Sequence, residues 1–338
     1  MASGLTKFGN DLYTGERSVN FIGNRRIWLT IAAIVVLAAV IVPFVRCGGN
    51  FSNGFNFGID FRGGSQFQIA KADSTDTKLA ENAVHSVVPR AVVRVSTVGG
   101  SGIRVQTDQL TDPQTTDVTS ALSKAYGTDE KNISSAFIGA TWGADISKQA
   151  LFGLGVFLAL AFILMAIYFR TWKMSVAAML ALVHDLVITV GVYAATGFEI
   201  TPAAVIGFLT ILGFSLYDTV VVFDKIRENT SELGDDSSRT FGETVNLAVN
   251  QTLVRSINTG VVAALPVAAI LFIGSFVLGA ETLRDISLAL LVGTLIGTYS
   301  TPFVASPLYA LFRQGEPKIA ARDKRTLQLR AKSLASVN

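Results

Sequence analysis

The stretch from Ala203 to Phe223 reads AAVIGFLTILGFSLYDTVVVF, and Asp218 is its only charged residue. As a helix rising about 1.5 Å per residue, it carries that aspartate roughly 8 Å in from its C-terminal end. A side chain so short does not reach water from there. A charge near the centre of a bilayer costs about 2.5 to 3.5 kcal/mol even on the lenient insertion scale, so an acid kept at this depth has a partner or a task. The segment reads as a transmembrane helix, and Asp218 is the leading candidate for a working residue.

The rest of the chain supports a membrane reading. Half of its residues are hydrophobic and only 16% are charged, and the mean hydropathy is positive, which excludes a soluble enzyme. Six stretches are long enough to cross a hydrocarbon core of about 30 Å. They run from Ile27 to Val45, Ala150 to Phe169, Ser175 to Ala195, Ala203 to Phe223, Ile257 to Leu278 and Ile286 to Phe312. Lys and Arg crowd alternate connections: Lys7, Arg17, Arg25 and Arg26 before the first span, Arg170 and Lys173 after the second, Lys225, Arg227, Arg239 and Arg255 after the fourth. Positively charged loops stay inside, so residues 1–26 and the basic tail, 313–338, are both expected in the cytoplasm. That tail reads as a solvated juxtamembrane segment, with anionic lipid or ribosomal RNA as the sharper alternatives. The first span lacks a small-residue cleavage site and reads as a retained anchor. Cys47 follows it and, as the only cysteine, forms no internal disulfide.

Residues 46–148 have ordinary soluble composition and are placed outside the cytoplasm by this topology. Their pattern gives a strand at 65–71, a helix at 75–88, strands at 92–98 and 103–107, a helix at 113–126 and a strand at 133–140. That βαββαβ order predicts a ferredoxin-like domain, a four-stranded antiparallel sheet with two helices on one face. Gly99-Gly100-Ser101-Gly102 supplies the central hairpin turn. The expected fold is an α-helical membrane protein of six transmembrane helices, with this external α+β domain between the first two and the other five within residues 149–312.

Three motifs stand out. Phe55-Asn56-Phe57-Gly58-Ile59-Asp60-Phe61-Arg62-Gly63-Gly64 follows the first span, Gly213-Phe214-Ser215-Leu216-Tyr217-Asp218 continues through Val222-Phe223-Asp224-Lys225-Ile226-Arg227-Glu228-Asn229, and Asn250-Gln251-Thr252-Leu253-Val254-Arg255-Ser256 lies downstream. Together with the six spans, the single external domain and His184-Asp185 in the third span, they make nearly the whole chain resemble the SecF half of the SecD/SecF protein-export family. The chain departs from that pattern at Tyr217, where an asparagine is common, and at Lys225, where an arginine is. Tyr217 leaves the hydrogen bonding of Asp218 open.

The resemblance implies a bacterial plasma-membrane protein that works with SecD and the SecYEG channel, alongside YajC, drawing a translocating preprotein outward with the proton-motive force. It implies that Asp218 is paired functionally with Arg255. From the residues alone, Gly207, Ile211, Phe214, Ser215 and Val222 lie within roughly 60° of Asp218, a mixture of small and apolar groups suited to a packed helix seam. Ala178, Ala181 and Thr189 share the face of Asp185, so two buried acids are expected to face one interior. Desolvation disfavours a carboxylate and an approaching cation favours it, and these opposed effects make a proton switch.

Each residue also has a plainer reading. Asp218 serves as a relay or as a structural ion pair, Arg255 as a switch partner or a boundary anchor, and Asp185 as a second relay or a helix-helix hydrogen bond. His184 is expected about 100° away from Asp185, as a packing or interfacial residue. Asp224, Lys225, Arg227 and Glu228 form a solvated helix end or a cytoplasmic docking surface. Gly58, Asp60, Gly63 and Gly64 do not make a phosphate loop, because the Lys-Ser/Thr ending is absent; the glycines suit tight backbone geometry at the domain junction. Gly293, Gly297 and Ser300 form a small-residue stripe for helix packing or for docking SecD.

Two rival functions have less support. An intramembrane aspartyl protease would use Asp185 and Asp218, but Gly-x-Gly-Asp is missing. A resistance-nodulation-division exporter of small molecules usually has about twelve spans, and six suggest half of a pseudo-symmetric unit. No cofactor, metal cluster, nucleic-acid partner or enzymatic activity is expected.

Overall fold

The structure, a computed structural model, describes residues 4–46, 54–98, 101–231, 238–274 and 281–337. Cys47, the Gly99-Gly100 half of the hairpin turn and the end of the expected fifth span, residues 275–278, lie outside the described residues. Among the described residues, six helices are long and apolar enough to cross a membrane: α2 (Arg25–Arg46), α6 (Ala140–Phe169), α7 (Trp172–Thr196), α8 (Pro202–Ser231), α9 (Phe241–Phe272) and the run of α10 (Glu281–Ser300) with α11 (Ser306–Gln314). Of these, α7 and the α10–α11 run are the most enclosed, while α2 and α6 are the least. A short helix, α1 (Gly4–Thr14), precedes them and packs against α9.

The helices outrun the expected spans at their polar ends. α9 begins sixteen residues before Ile257 because Thr240 and Glu243 form a capping box, each satisfying the other's backbone N–H. Val245, Ala248 and Val249 then bury one face of the added turns in the main core. The C-terminal residues form α12 (Pro317–Val337) rather than a free solvated tail. It is held to the start of α9, where Asp323 accepts from the Phe241 N–H and Arg330 donates to Glu243 and the Ser238 carbonyl.

Between α2 and α6 lie β2 (Gly64–Ile69), α4 (Thr77–Val87), β3 (Val93–Val98), β4 (Gly102–Thr107), α5 (Asp112–Tyr126) and β5 (Ile133–Ile138), each ending within two residues of its expected limits. The strands pair antiparallel in the order β3-β4-β2-β5. One face buries Phe67, Ile69, Ile103, Val105 and Ile133 against Ala80, Val84, Val118 and Leu122 of the two helices. Alternation turns Gln66, Gln68, Arg94, Arg104 and Gln106 to the other face. Before this domain come β1 (Asn56–Phe57) and a single turn, α3 (Ile59–Arg62). β1 pairs parallel with β6 (Glu199–Ile200), which lies in the α7–α8 turn, an association that sequence periodicity did not indicate. The sheet domain therefore sits at the α7–α8 end of the bundle, and α1 and α12 at the other.

Candidate functional site

α7, α8, α9 and α10 enclose a polar seam inside an otherwise apolar bundle. Asp185, on α7, is 2% exposed and is well supplied with donors. Ser215 of α8 donates to its Oδ2 at 2.5 Å, and Ser300 at the end of α10 donates to the same oxygen at 2.8 Å. His184 Nδ1 lies 3.0 Å from the other oxygen, and His184 Nε2 lies 3.0 Å from the Tyr299 hydroxyl. Here the helical-wheel expectation for His184 fails. The Cα vectors of neighbouring residues diverge, but an imidazole is long enough to fold back onto the adjacent carboxylate once Tyr299 holds its far side.

Asp218, one turn beyond Ser215 on α8, is 5% exposed and poorly supplied. The Ser256 hydroxyl of α9 donates to Oδ1 at 2.8 Å, while among the described residues no donor reaches the buried Oδ2 in good geometry and the Thr301 hydroxyl interacts with the carboxylate more weakly. Beside it, the hydroxyls of Thr219 and Thr301 are 3.2 Å apart. Thr301 opens a π-helical segment, Thr301–Ala305, between α10 and α11. Such widened turns recur at functional sites because they displace side chains from ordinary helical register. Arg255 is exposed, and among the described residues no ion pair joins it to Asp218. Its neighbour Ser256 faces the acid instead. Tyr217 is 54% exposed on the outside of α8, so the hydrogen bonding of Asp218 does not involve it.

The close approach of α8 and α10 depends on small residues. A Cβ on Gly293 would lie 2.4 Å from Ile211, and one on Gly207 would lie 2.6 Å from Ala289. Gly297 packs on Ser215, and Ser300 reaches Asp185. The stripe Gly293-Gly297-Ser300 is thus occupied within the chain. Gly207, Ile211, Ser215 and Val222 are buried beside Asp218, as are Ala178, Ala181 and Thr189 on the Asp185 face. Each acid projects into the bundle, but among the described residues no hydrogen bond joins the two carboxylates as an aspartyl-protease dyad would.

At the sheet end, the Gly-rich motif shapes the junction. Gly63 has φ 75° and Gly64 has φ 146°, and a Cβ on Gly64 would lie 2.4 Å from the Thr107 carbonyl. The Gly58 N–H donates to the Ile200 carbonyl at 2.9 Å. Half-buried Asp60 has its pKa pushed up by burial, with Asp285 adding to the shift and Arg104 opposing it. Sequence reading missed the centre of this junction, Glu199. It accepts from Arg104 at 2.7 Å and from the Gln106 side-chain amide at 2.6 Å. Its partners come from a strand 93 and 95 residues away, and no local pattern marks such a pair. Asp285, on the first turns of α10, was also missed; it accepts from Thr201 at 2.9 Å and from Arg284.

At the opposite end, Asp224 and Arg227 are exposed on the last turns of α8. Asp224 accepts from the Tyr168 hydroxyl at 3.3 Å, Arg227 donates to the Tyr168 carbonyl at 3.2 Å, and Lys225 pairs with Glu228. This helix end is pinned to the end of α6.

Among the described residues, six helices of membrane-spanning length, with buried acids on two central helices and a sheet domain between the first two, define a polytopic membrane protein. Comparison with known proteins narrows that class. Residues 118–315 match the model described as protein export membrane protein SecD/SecF, C-terminal, and residues 51–70 match the SecD/SecF GG motif. The chain belongs to the SecD/SecF family. It is 42% identical to the protein translocase subunit SecF of Streptomyces coelicolor, over 98% of this chain and 87% of that one. It is 38% identical to the subunit of that name from Mycobacterium tuberculosis strain H37Rv, over 97% and 74%. The crystal structure of SecDF, a translocon-associated membrane protein from Thermus thermophilus, superposes with a TM-score of 0.76 at 28% identity. That superposition covers 88% of this chain and 39% of the SecDF chain.

Proposed function

We propose that this chain is an auxiliary subunit of the bacterial Sec export machinery. It works with SecD, using the proton-motive force to drive preprotein release after the SecYEG channel. The likeness to part of a SecDF chain supports SecD as the partner that completes the unit. YajC and SecYEG complete the assembly in this reading. The positive-inside pattern supports a plasma-membrane protein with both termini in the cytoplasm. The sheet domain then lies outside, and its strand order and antiparallel pairing support the ferredoxin-like assignment.

Asp218 is the proton carrier. The observation that carries this role is its unequal pair of oxygens, one held by Ser256 and the other buried without a donor in good geometry. Buried polar atoms are nearly always satisfied, and this exception, on a carboxylate inside the bundle, supports a site where a proton or a cation is taken up. Arg255 is the cation that approaches in another state of the cycle, one residue from the serine that holds the acid in this one. Asp185, with three donors, holds α7 to α8 and α10. Displacing one charge through 100 mV supplies about 2.3 kcal/mol, enough to shift an equilibrium between two helix arrangements.

The test is Asp218→Asn in the complex with SecD. The variant should accumulate and bind SecD normally, yet export preprotein equally with and without the proton-motive force. Export that still responds to the force would remove Asp218 from the cycle.

A further inference from the structure

The helices that carry Asp185 and Asp218 have no direct covalent connection to the sheet domain, which is joined in sequence to α2 and α6. They meet it, and the β1 segment before it, through the α7–α8 turn, where the Gly197 carbonyl accepts from the Asn56 side chain at 3.1 Å. Glu199 binds Arg104 and Gln106 of β4, Ile200 pairs with Phe57 and accepts from the Gly58 N–H, and Thr201 donates to Asp285 of α10. The Arg104–Glu199 pair is nearly enclosed, its side chains 3% and 12% exposed. A buried ion pair with matched hydrogen bonds contributes little net stability, but removing one partner is costly, so it holds one geometry firmly. Beside the pair lies a cleft of about 690 Å³ lined by Arg94 and Gln106 of the sheet, Phe198 of the turn, and Arg284 and Leu288 of α10. The domain therefore has room to move against the bundle, while this turn grips it. Next to this turn, α3 rests on the start of α6, where a Cβ on Gly143 would lie 2.6 Å from the Phe61 carbonyl.

We propose that Glu199 is the coupling residue of this protein: its grip on Arg104 and Gln106 passes displacement of α7 and α8 on to the sheet domain. Glu199 is a positioning residue and acts at the sheet-domain end of the helices that carry Asp185 and Asp218. The inference rests on the reading of Asp218 as proton carrier and adds the transmission step.

Uncoupling is the expected signature. The full chain is reconstituted with SecD in vesicles carrying the translocation channel, and preprotein export and proton conductance are measured together. Glu199→Ala should lower force-dependent export about tenfold, within the usual span of coupling energies. Force-independent export and proton conductance should persist. Glu199→Gln, which keeps one acceptor oxygen where the carboxylate has two, should restore only part of the export. Asp218→Asn should abolish conductance and force-dependent export alike, leaving force-independent export in place. If Glu199→Ala does not accumulate, Arg104→Gln removes the same grip from the other side and should show the same split. Undiminished force-dependent export in these variants, or conductance falling in step with export, would overturn the coupling role. Conductance that survives in Asp218→Asn would instead refute the proton-carrier reading.

Discussion

Asp185 and Asp218 stand on neighbouring helices of one bundle, equally hidden, and the fold treats them in opposite ways. Asp185 meets two serine hydroxyls and a histidine nitrogen. Asp218 meets one serine hydroxyl in good geometry and has no donor so placed at its other oxygen. Burial alone therefore does not distinguish a structural acid from a working one. In the proposed reading the census of donors does, because a fully satisfied carboxylate gains nothing by changing partners, while a half-satisfied one does.

That contrast breaks most sharply at Asp185. Replacing it with Ala strands Ser215, Ser300 and His184 together, at a cost of about 3 kcal/mol or more, since each buried orphan costs roughly 1 to 3. Thermal unfolding of the purified protein should show a large drop in midpoint for Asp185→Ala and a small one for Asp218→Asn. Equal drops would erase the distinction between the two acids. Ser256→Ala is expected to come next, costing about 1.5 to 3 kcal/mol if it removes a hydrogen bond to a charged group. Its force-dependent export should fall as well, with Ser256→Thr recovering both.

A smaller effect is expected where α11 turns into α12. Burial alone would raise the pKa of Glu316, but hydrogen bonds from Arg313 and Lys173 hold it below the ordinary 4.5. A carboxyl lowered by folding adds stability that is fully present above its unfolded value and is lost as pH falls through its folded one. Hydrogen-exchange protection factors in residues 317–330, taken relative to the intrinsic rate at each pH, should fall on acidification below about 4.5, and Glu316→Gln should remove this pH dependence. The pair is partly exposed, so the change stays under about 1 kcal/mol. Smallest of all is Tyr217→Asn, which restores the commoner family residue. Tyr217 points away from Asp218, so export and unfolding midpoint should change by no more than about 0.5 kcal/mol in equivalent free energy. A large gain in export would mean that position 217 turns inward in another state.

Much of the architecture was legible because it rests on short-range regularities. Apolar runs marked the six helices, and alternation marked β2 to β5 within two residues. The capping box at Thr240 and Glu243 was equally local, yet it was hidden by attention to hydropathy, so the early start of α9 went unseen. Asp218 was found because a lone charge in a long apolar run is conspicuous. Ser256 lay inside a quoted motif but was overshadowed by Arg255, whose charge draws the eye while its side chain turns outward. Glu199 and Arg104 gave no sign, since a charged residue in a short turn and another in a polar strand face are unremarkable until they meet.

The sequence by itself determined the membrane class, the number and approximate limits of the spans, the strand and helix order of the sheet domain, and the acid at its most improbable position. These follow from composition and from periods of 2 and 3.6 residues, which the local chain imposes. Tertiary structure alone decided which acid is satisfied, which hydroxyl holds Asp218, and which carboxylate joins the sheet to the bundle. Those outcomes depend on side chains tens to hundreds of residues apart reaching within 3 Å of one another. Such meetings are settled by how close Gly207, Gly293 and Gly297 let the helices come, and no local pattern records them.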